Sequence, residues 1–199
     1  MVMAKAPVAG RIKTRLAREI GTGQATRFAR QAAAALLGRL GRDPRWQTII
    51  AVTPDAAIAS PIWPARMARK PQGRGDLGAR MQHLFAVAAP GPLVIIGTDI
   101  PGIAAHEVAK AFRLLGSRDA VFGPAADGGY WLIGLRRRPR LLRPFSHVRW
   151  STPEAFADTL GNLAGRSIAC VARLIDVDTA EAYRACAHSF GRRVLPLPP

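Results

Sequence analysis

Short, unbroken apolar runs alternate with helix-patterned segments along nearly the whole chain, and that alternation limits the fold more than any other feature. The runs are MVMA, WQTIIAV, PLVIIGT, DAVFG, YWLIGL and SIACVARLIDV. Among them lie RFARQAAAALLGRL, LGARMQHLFAVAA, HEVAKAFRLLG, PEAFADTLGNLA and, last, AEAYRACAHSF. A strand exposed on one face alternates apolar with polar residues, whereas a strand covered on both faces reads as a continuous apolar run. The expected fold is therefore α/β, three-layered, with a mostly parallel twisted sheet between helices on both faces. DAVFG and YWLIGL lie close enough to hint at a local antiparallel excursion. At 199 residues, 49% of them hydrophobic, the chain suffices for one sizeable core, and a single domain over residues 1–199 is expected.

Charge narrows the partners. Lys and Arg number 29 against 13 Asp and Glu, a formal net charge of +16, which favours an anionic partner: nucleic acid, a membrane surface or a phosphorylated small molecule. The arginines are scattered, however, and the one dense cluster, Arg136 to Arg140, reads as a solvated loop before it reads as a nucleic-acid patch. Cys170 and Cys186 form no CxxC pair and are expected as reduced thiols in the core; the four histidines are isolated, so no zinc site is legible. Lys5 and Arg11 interrupt any signal-peptide core, and no apolar run approaches membrane-spanning length. A soluble cytoplasmic protein is the expectation, with neither membrane nor nucleic acid as partner.

Five stretches carry chemistry. AKAPVAGRIKTRLA, residues 4–17, delivers Lys5, Arg11, Lys13 and Arg15 around a helix start, where free backbone N–H groups favour anions; a diphosphate would suit it, and so would plain solvation. It is neither a Walker A loop nor GxGxxG. In GRGDLGARM, Asp76 can cap a helix, while Gly78 lowers its propensity and Gly75 is not needed for a cap; close approach of a flat ligand such as a base would explain both. Asp99 closes the apolar run PLVIIGTDIPG at what becomes the carboxyl end of a strand, where ligands of such sheets bind. It can pair with one of the many arginines or bind Mg²⁺ or Mn²⁺. A bare carboxylate about 4 Å from a phosphate charge would cost roughly 4 kcal/mol at an effective dielectric of 20, so phosphates near Asp99 would require a cation between them. Asp127, Gly128 and Gly129 make a hairpin turn that can also reach the cleft, with Tyr130 and Trp131 available for packing or for a sugar. In LIDVDTAEAY, Asp176 and Asp178 share one side of an extended segment; Asp178 with Glu181 fits a capping box, leaving Asp176 as a possible second metal ligand.

Taken in order, KAPVAGRIKTRLA, GDLGARM, GTDIPG, GPAADGGYWLIGL, WST and DVDT resemble the bacterial glycosyltransferase-like proteins of the arsenosugar-biosynthesis type. These are similar in turn to molybdenum-cofactor guanylyltransferases and other nucleotide-diphosphosugar transferases of the GT-A fold. The resemblance implies transfer of a sugar from a nucleoside-diphosphate sugar to a small-molecule acceptor, dependent on Mg²⁺ or Mn²⁺. It implies phosphate binding by Lys5, Arg11, Lys13 and Arg15, and base recognition at Gln72, Gly73, Asp76 and Gly78. Metal binding falls to Asp99 with Asp176, and the sugar or acceptor side to Asp127, Gly128 and Gly129. Lys13 would stabilise the leaving diphosphate and Asp127 would serve as base to the acceptor hydroxyl. Two features depart from the pattern: only three or so residues precede the phosphate loop, as if the first strand were clipped, and TDIP offers one acid where many glycosyltransferases carry DxD. A nucleotidyltransferase would use nearly the same residues, and an Arg-rich nucleic-acid binder is the reading outside enzymes.

Overall fold

The computed structural model describes the backbone of residues 1–190 and side chains as far as Cys186; the last nine positions of the expected domain lie outside the described residues. Seven strands form one sheet: β1 (Val2–Lys5), β2 (Ile49–Thr53), β3 (Ala68–Pro71), β4 (Leu93–Ile96), β5 (Ala120–Pro124), β6 (Tyr130–Leu135) and β7 (Ile168–Cys170). Their spatial order is β3-β2-β1-β4-β6-β5-β7. Only β6 runs against its neighbours, pairing antiparallel with β4 (Leu93 opposite Leu135) and β5 (Ala120 opposite Leu135). The local excursion read from the sequence is therefore present, inside a sheet otherwise parallel.

Among the described residues six α-helices accompany it: α1 (Thr14–Ile20), α2 (Thr22–Leu40), α3 (Leu77–Val87), α4 (Ala105–Leu115), α5 (Ala155–Gly161) and α6 (Ala180–Phe190). Alternate strand residues point to opposite faces, and the core divides accordingly. Ile50, Val52, Val94 and Ile96 pack with Leu36, Leu37 and Leu40 of α2 and Val108, Ala111 and Leu115 of α4. Ala51, Leu93, Ile95, Phe122 and Ile133 pack on the other side with Met81, Leu84 and Phe85 of α3 and with Leu163 beyond α5. Leu16 of α1, Phe28 of α2 and Tyr183 of α6 form a third cluster, with the Phe28 and Tyr183 rings edge to face at 5.4 Å. Among the described residues no helix is long and apolar enough to cross a membrane.

Three local features depart from the sequence reading. The run SIACVARLIDV is strand for only three residues; beyond Cys170 it leaves the ladder, touching it again where Leu174 bridges Ala125, and Ile175 is exposed. β3, ARKP, is a polar edge strand and offered no apolar run to find. Cys170 is exposed on the other edge strand, β7, against the expectation of a core thiol, whereas Cys186 is buried. What the topology provides for function is one rim. The segments leaving β1, β2, β3, β4, β5 and β7 all emerge at the carboxyl ends of the parallel strands, and the antiparallel course of β6 puts the β5–β6 turn on that rim too.

Candidate functional site

Lys13 organises the rim. It precedes α1 in a left-handed backbone conformation (φ 49°, ψ 45°), uncommon for a residue with a side chain, and its carbonyl accepts from Ala17 N–H at 2.8 Å. Its Nζ lies 2.9 Å from Oδ1 of Asp99 and 2.7 Å from Oδ1 of Asp178. The lysine side chain is only 5% exposed, against 64% for Asp99 and 37% for Asp178. Burial by itself would push this ammonium down; the charges of Asp99 and Asp178 more than reverse it and hold Lys13 above the ordinary lysine value. A permanent cation is thereby seated between two carboxylates that come from segments 79 residues apart in sequence.

Each of those segments is tied down. Arg39 of α2 donates to the carbonyls of Pro101 and Ile103, behind Asp99. Glu107 of α4 accepts from Ala172 N–H at 2.9 Å on the approach to Asp176 and Asp178. Glu19, at the far end of the helix that Lys13 opens, accepts from Ala180 N–H at 2.8 Å, two residues past Asp178. The cap of α6 falls to Thr179, whose hydroxyl accepts from Ala182 N–H at 3.2 Å, so Asp178 is free of the capping role the sequence assigned to it. Asp178 is thus the rim carboxylate that sequence reasoning passed over as a cap. DVDT holds two adjacent cap formers, and the neighbouring hydroxyl was the signal that Asp178 had another use. Asp176 lies close by, its carboxyl raised by burial first and then by the charges of Asp127 and Asp178.

On the β3 side, Gln72 is buried, and its amide nitrogen donates to Ala4 O (3.2 Å) and Ala51 O (2.9 Å), stitching the ends of β1 and β2. Its donor is therefore engaged inside the fold. Asp76 caps α3, accepting from Ala79 N–H at 2.8 Å, as its sequence context indicates. Gly75 has φ +93°, a conformation that L side chains rarely adopt, which accounts for it without a ligand. Gly78 is buried, and a Cβ there would stand 2.7 Å from Cζ2 of Trp150 and 2.9 Å from Cβ of Phe145. The flat group that requires Gly78 is an indole of the chain itself. Gly73 lies against the ring of His83.

The Asp127 turn joins β5 to β6. Asp127 Oδ1 accepts from Gly129 N–H at 2.9 Å, and Ala125 N–H donates to Gly129 O at 3.0 Å. Gly128 seats the turn on Pro153, where a Cβ would come within 2.2 Å of the Pro153 carbonyl oxygen. Asp127 itself is exposed, and its charge is felt at Asp176, so the turn can also face the rim, as the sequence reading allowed. The two aromatics that follow belong to packing: Trp131 is buried and donates to Ala172 O at 3.0 Å, and Tyr130 stands edge to face with Phe122 at 5.3 Å. Lys5, Arg11 and Arg15 are exposed around the loop, while Arg137 of the arginine cluster donates to Ala88, Ala89 and Gly91 carbonyls beyond α3.

Among the described residues no group of three or more His, Cys, Asp and Glu side chains is arranged to hold a metal ion. A Mg²⁺-type ion needs fewer, because it binds through one or two carboxylates and completes its shell with phosphate oxygens and water. Asp99 and Asp178, hard oxygen donors converging on one point, fit that smaller set.

A family model described as an uncharacterized protein conserved in bacteria (DUF2064) matches residues 32–152. A solved structure of a proposed nucleotide-diphospho-sugar transferase from Desulfovibrio desulfuricans G20 superposes with a TM-score of 0.86 at 29% identity, over 97% of this chain and 89% of that one. Rv0371c of Mycobacterium tuberculosis H37Rv, in complex with manganese, gives 0.54 at 17% identity, over 94% and 97% of the two chains. CMP:2-keto-3-deoxy-manno-octonic acid synthetase complexed with CTP gives 0.59 at 12% identity, over 96% and 97%. No curated protein matches the chain in sequence. The family match spans well over half of the residues, and the chain belongs to that family.

Proposed function

We propose that this family member is a transferase acting on a nucleoside-diphosphate sugar, moving the sugar to a small-molecule acceptor with the help of Mg²⁺ or Mn²⁺. The observation that carries the reading is the Lys13 ammonium held by Asp99 and Asp178 at the carboxyl rim, where open α/β sheets bind ligands. The likeness at 29% identity to a proposed nucleotide-diphospho-sugar transferase supports the donor class. The motif resemblance favours the arsenosugar-biosynthesis type.

In this reading Lys5, Arg11, Lys13 and Arg15 receive the diphosphate, and Asp99 with Asp178 would hold the divalent ion, Asp176 standing beside them. When bound, that ion supplies neutralising charge to the diphosphate. The Lys13 ammonium, protonated and already desolvated, donates to the oxygen on which negative charge grows as the sugar leaves. Asp127, exposed on its turn, accepts the proton of the acceptor hydroxyl. The backbone groups about Gly73 and the carbonyl side of Gln72 flank the base, and the turn through Gly128 and Gly129, which carries Asp127, flanks the sugar.

A second reading, nucleotidyl transfer from an NTP to a phosphorylated small molecule, has its own support. Solved structures of similar fold include a CTP-bound synthetase and a 4-diphosphocytidyl-2C-methyl-D-erythritol synthase of Anaerococcus prevotii DSM 20548 (TM-score 0.57). A thermal-shift panel of NTPs, NDPs and NDP-sugars with and without Mn²⁺ separates the two, because only a ligand of the folded state raises the melting temperature. Protection by a sugar nucleotide above the parent NDP and the NTP supports sugar transfer; protection by an NTP alone transfers the assignment to the second reading.

A further inference from the structure

Lys13 combines features that a phosphate-binding lysine does not need. A lysine waiting for phosphate can lie in solvent; this one is 5% exposed, is seated by a left-handed backbone, and bonds one oxygen from each of two carboxylates on separate segments. The carboxylates are the more accessible partners, at 64% and 37%, so an ion arriving from solvent meets them first and finds the ammonium between them. A dication brought to the same two oxygens would face that ammonium at contact distance, in a setting where burial weakens screening.

We propose that Lys13 is a built-in counter-cation that guards the two-carboxylate site: while its ammonium bridges Asp99 and Asp178, free divalent metal binds poorly, and metal binding requires the lysine to move off. The phosphate-bearing ligand that would draw the lysine away comes from the proposed function; the lysine's opposition to free metal does not depend on it. Two consequences follow. Without Lys13 the carboxylates are left as a bare dianionic pair, which attracts a dication directly. With Lys13 present, neither carboxylate is unpaired between turnovers, and one ammonium touches both the β4 exit and the approach to α6 from the loop.

The test is a Mn²⁺ titration in the absence of nucleotide, with free Mn²⁺ read by electron paramagnetic resonance, on the full chain and on Lys13→Met and Lys13→Gln. Both variants should bind Mn²⁺ at least about tenfold more tightly than the wild type, and adding Asp99→Asn to either should abolish the gain. Equal affinity in wild type and variants overturns the proposal, as does absence of Mn²⁺ binding in all of them. A second measurement needs no variant. The chain has four lysines, Lys5, Lys13, Lys70 and Lys110, so ¹⁵N spectra of the ammonium groups can follow Lys13 directly. Its signal should move on saturation with Mg²⁺, and Mg²⁺ binding that leaves it unmoved contradicts the proposal. No arm contains a nucleotide, so a failed nucleotide panel and a failed metal titration are separate results.

Discussion

Replacing Gly78 with alanine tests whether a ligand or the protein's own packing demands that glycine. The added methyl would stand 2.7 Å from Trp150 Cζ2 and 2.9 Å from Phe145 Cβ, roughly an ångström inside ordinary carbon contact. Trp150 has little room to retreat, since its ring lies 6.4 Å from that of Tyr130 and 6.2 Å from that of Phe145, and Phe145 is in turn stacked on Phe85 at 6.4 Å. Overpacking of this kind costs about 1–3 kcal/mol. Alanine recovers at most about 1 kcal/mol of helix propensity, and less in the first turn, where Gly78 is the second residue of α3. The net expectation is a loss of about 1–2 kcal/mol, or roughly 2–8 °C in melting temperature for a chain of this size. Calorimetric melting of Gly78→Ala, Trp150→Phe and the double variant measures it. Because Cζ2 belongs to the ring that phenylalanine lacks, the double variant should be more stable than the sum of the singles. A Gly78→Ala protein that melts with the wild type yet loses nucleotide protection would refute the packing argument and restore a base to that position.

Four shorter predictions follow from the same geometry. Gln72→Leu should destabilise by about 2 kcal/mol in chemical denaturation, because it strips a buried donor from the Ala4 and Ala51 carbonyls. Thr179→Ala should cost about 1 kcal/mol as a lost cap, while Asp178→Asn should leave the helical circular dichroism intact and weaken nucleotide binding in Mn²⁺; the opposite pattern would return the cap to Asp178. Leu84→Ala, at a fully buried position of α3, should cost about 2–5 kcal/mol by the same denaturation assay. Asp158 is paired with Arg149 at 2.8 Å, and that guanidinium with the Arg149 N–H holds its carboxyl down to about 2. Since the folded value is the lower one, this contribution is complete above roughly pH 4 and is lost as pH falls toward 2, so the acid-unfolding profile of Asp158→Asn should be flatter across that window.

Strand and helix order was readable because burial on both faces leaves a plain mark: Leu93–Ile96 is buried at all four positions and apolar at all four. β3 was not, because an edge strand that reads ARKP carries no such mark. Lys13 and Asp99 could each be singled out from their places after a strand, but their contact spans 86 residues and is fixed by tertiary ties from Arg39, Glu19 and Glu107 that no local pattern encodes. The glycines of GRGDLG misdirected the sequence reading for a related reason. Their spacing showed that something flat comes close, and only the fold shows that Trp150, 72 residues on, is that object.

The central claim, that Asp99 and Asp178 converge to hold a divalent ion for a phosphorylated ligand, is tested most directly by anomalous scattering from crystals grown with Mn²⁺ and a nucleoside diphosphate. The account predicts a manganese peak roughly 2–2.5 Å from an oxygen of each carboxylate, with the Lys13 ammonium turned to phosphate. A structure with nucleotide bound elsewhere, or with Lys13 still bridging both aspartates and manganese absent from them, would contradict it.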